Sequence, residues 1–240
     1  MKTVYHSADS RGKANHGWLN SHHSFSFANY QDPERMKFGL LRVLNDDTVA
    51  GGQGFGRHPH ENMEIISIPL SGKLRHEDSL GTSREITTGE IQVMSAGTGV
   101  FHSEFNASET EEVKFLQLWI FPKVKNIAPR YDQRNIQTGE INNGIERIVS
   151  PIDDPADSIK INQDAYLSIA TLSDGKQLEY QWNNPANGVY AFVLSGNAAI
   201  AGQDLQSRDA LGIWDAQSIS IQSVGNSKVL LIEVPMNSNR

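Results

Sequence analysis

The sequence predicts an all-β protein containing two copies of one barrel-like domain, and three observations predict it. Short apolar runs recur along the chain, each closed by Gly, Pro, Asn or Asp, which is how strands joined by turns are punctuated. The run 113–121 is apolar at most positions, too dense for a strand with one face in water, so both of its faces should be covered. The stretch Ile65-Ile66-Ser67-Ile68-Pro69-Leu70-Ser71-Gly72 is echoed by Val189-Tyr190-Ala191-Phe192-Val193-Leu194-Ser195-Gly196, each a strand entering a Ser-Gly turn, the mark of a repeated fold.

Taken in order, the first copy should hold strands over 38–44, 63–70, 91–94 and 113–121. From Pro122 to Tyr131 the rhythm stops and a connector begins, which sets the boundary between about 125 and 150 by strand counting. The chain then divides into an N-terminal domain, 1–130, and a C-terminal domain, 131–240. Its 240 residues suit two domains of about 100 to 150 each. The second copy should hold strands over 188–194, 211–214 and 229–234. Stretches of helix formers such as 157–166 are short and rich in Asn and Asp, so only single turns or short helices are expected. Aligning Gly72 with Gly196 puts Trp182 and Asn184 where the first copy has His58 and His60.

Composition narrows the chemistry. Lys and Arg total 21 against 28 Asp and Glu, a formal net charge of -7 with no basic run, which disfavours direct binding to a phosphate backbone. Contact with nucleic acid through a basic partner stays open. There is no cysteine, so disulfides, cysteine nucleophiles and thiolate metal sites are excluded, and any metal is expected on nitrogen and oxygen. No apolar stretch of signal-peptide length opens the chain, and none approaches the roughly 18 residues of a membrane span. A soluble cytoplasmic protein is expected.

All 8 histidines, at 6, 16, 22, 23, 58, 60, 76 and 102, lie in the first 102 residues. Among them, His58-Pro59-His60 and His102-Ser103-Glu104 are pairs separated by one residue, and the period of two in a strand points both members of a pair to one face. Two such strands lining a barrel would converge three imidazoles and a carboxylate. That set suits Fe(II), Mn, Ni, Co, Zn or Cu, with positions left for water, substrate or dioxygen. An isolated pair of this kind is more often a pair of unliganded histidines, so the surroundings decide. His6, His16, His22 and His23 read first as exposed or hydrogen-bonded, His76 as orienting a loop, Gln117 as a rim residue with reach into a pocket, and the four tryptophans as core.

Those surroundings resemble known motifs. Gly52, His58, His60, Glu64 and Gly72 resemble the first cupin motif with its last spacer one residue longer, and Gly89, Gly97, His102 and Asn106 resemble the second, with Ser95 where proline is usual and a longer gap before the histidine. Further segments carry the resemblance: His16-Gly17-Trp18-Leu19, Phe25-Ser26-Phe27-Ala28-Asn29-Tyr30, Asp32-Pro33, Leu41-Arg42-Val43, Asn45-Asp46-Asp47, Gln92 to Gly99 and Pro129-Arg130-Tyr131. Together they resemble the pirin branch of the cupin superfamily, nearest to bacterial quercetinase-like pirins. The resemblance implies a bicupin of two β-sandwich or barrel domains, the second without metal. It also implies one divalent metal per chain, Fe(II) foremost with Mn, Ni, Co, Cu or Zn as alternatives, on His58, His60, His102 and Glu104. Strand parity leaves Glu64 equivalent to Glu104, since it too is an even number of residues from the histidines. It is the resemblance that favours Glu104 and leaves Glu64 a supporting or salt-bridging role.

Two functions follow from the resemblance. One is a dioxygenase of quercetin-like flavonols, using dioxygen, with Glu104 as catalytic base. The other is a metal or redox sensor acting on a protein partner in transcriptional co-regulation. A weaker third is an isomerase or hydrolase of a small enolisable metabolite. An enzyme needs a ligand-sized apolar pocket opening on the metal, and a sensor needs a surface patch that responds to it.

Overall fold

A computed structural model of the chain describes residues 1–136 and 143–237. The N-terminal half forms β1 (Lys2–His6), β2 (Gly12–Asn15), β3 (Leu19–His23), β4 (Leu41–Val49), β5 (Gly54–His60) and β6 (Glu64–Ser71). It continues with β7 (Lys73–Asp78), β8 (Ser83–Thr87), β9 (Glu90–Ser95), β10 (Val100–Asn106), β11 (Val113–Ile120) and β12 (Arg130–Asn135). The C-terminal half adds β13 (Gly144–Pro151), β14 (Ile159–Ile161), β15 (Tyr166–Leu172), β16 (Gln177–Gln181), β17 (Asn187–Ile200), β18 (Gln203–Leu205), β19 (Ala210–Trp214) and β20 (Ser218–Pro235). The described residues hold one 3-10 turn, Ala8–Ser10, and no α-helix, so the all-β expectation stands. The stretch 157–166 contains the strand β14 where a short helix was allowed for. No helix is long and apolar enough to cross a membrane.

The strands form three sheets. A seven-stranded sheet runs β12-β9-β6-β11-β4-β3-β2, and a four-stranded sheet β5-β10-β7-β8 faces it to make the N-terminal barrel. The C-terminal sheet runs β1-β19-β17-β20-β15-β13-β14, with β16 on β20 and β18 on β17. One strand crosses from the N-terminal half to the C-terminal sheet, and another returns past the connector to the edge of the N-terminal sheet. β1 pairs with β19 (Val4 opposite Gly212), and β12, which follows the connector, pairs with β9 (Gln133 opposite Gln92).

The dense run in β11 is covered on both faces because its residues alternate between two cores. Leu116, Leu118 and Ile120, with Ile66 and Ile68 of β6, pack against Tyr190, Phe192, Leu230 and Ile232 of β17 and β20 in one continuous core that joins the two halves. Each aliphatic side chain fully buried there contributes roughly 1.5–3 kcal/mol. Val113 and Phe115 point the other way, into the barrel, where two apolar clusters close its ends. The repeated Ser-Gly turns are alike in backbone: Gly72 has φ 77° and Gly196 φ 75°, a left-handed conformation that suits glycine. A Cβ at Gly196 would collide with the Asn226 carbonyl oxygen.

Candidate metal centre

The two histidine-bearing segments are neighbouring strands of the four-stranded sheet. β5 and β10 run antiparallel with His102 directly opposite His58 and Val100 opposite His60. A register shift opposite His102 and Glu104 puts one extra residue on β5, between Phe55 and His58, so β5 bulges while β10 stays regular against β7. The result brings His58, His60 and His102 together, with one ring nitrogen of each within 4.8 Å of the others. Ring centroids are 4.8 Å apart for His58 and His60, 4.4 Å for His58 and His102, and 4.9 Å for His60 and His102.

Hydrogen bonds set the tautomers of two of these rings. The Nδ1–H of His58 donates to the Gly56 carbonyl at 2.8 Å, which leaves its Nε2 a bare lone pair. Asp78 accepts from His76 Nε2 at 2.9 Å, so the Nδ1 of His76 is an acceptor, taking a bond from Gln92 Nε2 at 3.2 Å and facing His102 Nδ1 at 3.5 Å. His102 therefore carries its proton on Nδ1 and turns a bare Nε2 inward. The two bare nitrogens, of His58 and His102, stand 3.0 Å apart. Two lone pairs at that distance repel unless a cation lies between or beside them. A proton is a poor candidate, because burial first, and then the nearness of the His58 and His76 rings, lowers His102 to about 3. His60 is lowered to about 4, again by burial first. Neutral imidazoles with converging lone pairs are what a divalent transition metal requires, so the donor set fits one.

Glu104 reaches the cluster through His102, since a carboxylate oxygen of Glu104 and ring nitrogens of His102 and His76 also lie within 4.8 Å of one another. Its Oε1 accepts from Ser67 Oγ at 3.0 Å and its Oε2 from Gln117 Nε2 at 2.6 Å, while Gln117 Oε1 accepts from Trp119 Nε1 at 3.2 Å. Gln117 is thus a buried support of the carboxylate and not a rim residue. His76 is fully buried with both nitrogens engaged, so it orients His102 from behind. Glu64 points elsewhere: its Oε2 accepts from Ser95 Oγ at 2.7 Å and from the Asn162 backbone N–H at 3.1 Å, tying β6 to the C-terminal half. The parity argument fails for Glu64 because Asn62, with φ 48°, turns the chain from one sheet to another between His60 and Glu64.

A cavity of about 450 Å³ opens onto His58, His60 and Glu104, within the range of small-molecule sites. One flank is aromatic and continuous: Trp119 meets His60 edge-on at 4.9 Å, and Phe27 meets Trp119 at 5.4 Å. Trp18 against Phe55, at 5.5 Å, forms another part of the wall. Trp18 and Trp119, read from sequence as core, are therefore half-exposed pocket walls. His16 and His23 line the same cavity, while His6 is buried elsewhere, bonded to the Tyr190 hydroxyl at 2.9 Å. His23 carried no local sequence signal, because its partner Asn45 comes from another strand.

Residues 4–120 match the family model described as Pirin, and residues 147–234 match the one described as Quercetinase C-terminal cupin domain. The chain is 45% identical over 228 residues to the Quercetin 2,3-dioxygenase of Escherichia coli (strain K12), covering 95% of this chain and 96% of that one. The crystal structure of YhhW from Escherichia coli superposes with a TM-score of 0.93 at 43% identity over 100% of both chains. That of bacterial pirin YhhW in complex with nickel(II), from the same organism, gives 0.92 at 44% identity over 98% of this chain and 99% of that one.

Proposed function

The chain belongs to the pirin family, and from that premise we propose that it is a metal-dependent dioxygenase that opens the central ring of quercetin-like flavonols with dioxygen, releasing carbon monoxide. The metal would be held by His58, His60, His102 and Glu104, in the N-terminal domain of residues 1–130, with residues 131–240 as a metal-free scaffold. The single observation that carries the reading is the aromatic-walled cavity opening directly onto the imidazole cluster, which an enzyme needs and a sensor does not. The relative named Quercetin 2,3-dioxygenase supports the substrate class.

A bound divalent metal of this kind supplies Lewis acidity, lowering the pKa of a hydroxyl, and a coordination position open to small molecules. The protein's own groups do the rest. The Glu104 carboxylate, held by Ser67 and Gln117, takes the proton of the flavonol's enol hydroxyl, leaving the electron-rich anion that dioxygen attacks. Trp119 and Phe27 flank the flat ring system and keep water from the anion. The His76–Asp78 pair keeps the His102 proton on Nδ1.

The test is oxygen uptake with quercetin by protein loaded separately with Fe(II), Mn, Ni, Co and Cu, against metal-free protein and His58→Ala. At least one metal form should consume oxygen well above both controls. If none does at near-full occupancy, the dioxygenase reading fails and the sensor reading replaces it.

A further inference from the structure

The inner face of the seven-stranded sheet carries a transverse row of polar residues on five neighbouring strands. Gln92 faces Ser67, Ser67 faces Gln117, Gln117 faces Asn45, and Asn45 faces His23. All five are buried, and burying such groups is unfavourable unless they are paired. The first three have a task in the metal centre, since Gln92 holds His76 and the other two hold Glu104. The remaining two touch no residue of that centre. They bond to each other, His23 Nδ1 to Asn45 Oδ1 at 2.9 Å, and Ser21 bridges them to Asp47, lying 3.3 Å from His23 Nδ1 and donating to Asp47 Oδ1.

This group is spare in a specific way. Among the described residues, the hydrogen bonds of this group use Asn45 Oδ1, His23 Nδ1 and Asp47 Oδ1, which leaves Asn45 Nδ2, His23 Nε2 and Asp47 Oδ2 free to meet what enters the cavity, although the three residues are only 2%, 3% and 4% exposed. All three side chains line the same cavity as His58, His60 and Glu104. They stand one and two strand spacings beyond Gln117, roughly 5 and 10 Å. The aromatic flank links the two ends, because Phe27, which meets Trp119, also packs on the His23 ring at 5.3 Å. No Lys or Arg is among the residues lining the cavity, so no ammonium or guanidinium group meets an anion at the far end.

We propose that Asn45, His23 and Asp47 form a second polar subsite at the end of the cavity remote from the imidazoles, one that selects a planar aromatic substrate bearing a neutral hydroxyl on a ring other than the one that reacts. A hydroxyl both donates and accepts, and the subsite offers an amide donor, an imidazole acceptor and a carboxyl group. Burial pushes the Asp47 carboxyl up to about 7, so near neutrality it donates as well as accepts. An aromatic acid would meet an uncompensated desolvation cost there and be refused. The assignment deepens the flavonol reading and rests on it.

The test is anaerobic binding to the nickel-loaded protein, followed by tryptophan fluorescence, so that turnover plays no part. Quercetin is compared with the parent flavonol, which keeps the reacting hydroxyl and lacks every hydroxyl on the other two rings. The wild type should prefer quercetin by about tenfold or more, the scale of one well-made buried hydrogen bond. His23→Phe, which keeps the packing on Phe27, and Asp47→Leu should each bring that preference to within about twofold while nickel stays near one per chain, the coupling expected if ligand hydroxyl and side chain meet. Retention of the preference in the folded variants, or equal binding of both ligands by the wild type, overturns the subsite and leaves the flavonol reading standing. If the wild type binds neither ligand, the flavonol reading falls and the subsite falls with it.

Discussion

His102 is the side chain on which the centre turns, because it belongs both to the three-imidazole grouping and to the one with Glu104, and is oriented from behind by His76. Replacing His76 with Leu should weaken metal affinity by about 10- to 100-fold without removing a ligand, as loss of such outer support does, measured by competition with a chelator. Glu104→Gln should lose the metal more readily than Glu64→Gln, since Glu64 bonds to Ser95 and Asn162 instead of facing the imidazoles. Acid sensitivity has a clean probe in His6, far from the centre, whose burial lowers it to about 4 from the ordinary 6.5. The folded state keeps His6 neutral while the unfolded chain protonates it, so its contribution is present above about 6.5 and is lost as the pH falls toward 4. The urea midpoint of the wild type relative to His6→Gln should therefore drop between pH 7 and pH 5, and a constant difference would contradict this. The His-x-His and His-x-Glu pairs were legible in the sequence because strand parity is a local property. Glu64 and His23 were not, since one depends on the turn at Asn62 and the other on partners on β4.

At the level of elements, the Ser-Gly echo was legible because both copies need the same left-handed glycine at the same place. Gly196→Ala should cost more than about 1 kcal/mol from the backbone alone, with further loss from the approach to Asn226, measured by chemical denaturation. The crossing of β1 to the C-terminal sheet and the return of β12 to the N-terminal one were not legible, since nothing local in Lys2–His6 or Arg130–Asn135 says which sheet edge will receive it. Removing residues 1–7 should uncover the β19 edge, and amide exchange at Ala210 and Gly212, whose N–H groups face β1, should lose protection while Leu118 keeps its own. Equal loss at both places would mean that the sheets unfold as one unit.

Across the whole molecule, the imidazole-bearing half and the half without histidine are held by the apolar face shared between β6, β9 and β11 on one side and β17 and β20 on the other. The density of the 113–121 run announced that a second layer must cover it, and the absence of histidine after residue 102 announced that this layer would not supply imidazoles. A chain ending near residue 130 should therefore expose Ile66, Ile68, Leu116 and Leu118 and be poorly soluble, as its dye binding and sedimentation would show. The claim that joins these scales is that one metal sits on His58, His60, His102 and Glu104 and nowhere else in the chain. Titration of metal-free protein with nickel(II), followed by native mass spectrometry, tests it most directly. One ion per chain, lost in His58→Ala and in His102→Ala, is the predicted result; two ions per chain, or one that persists in both variants, would contradict it.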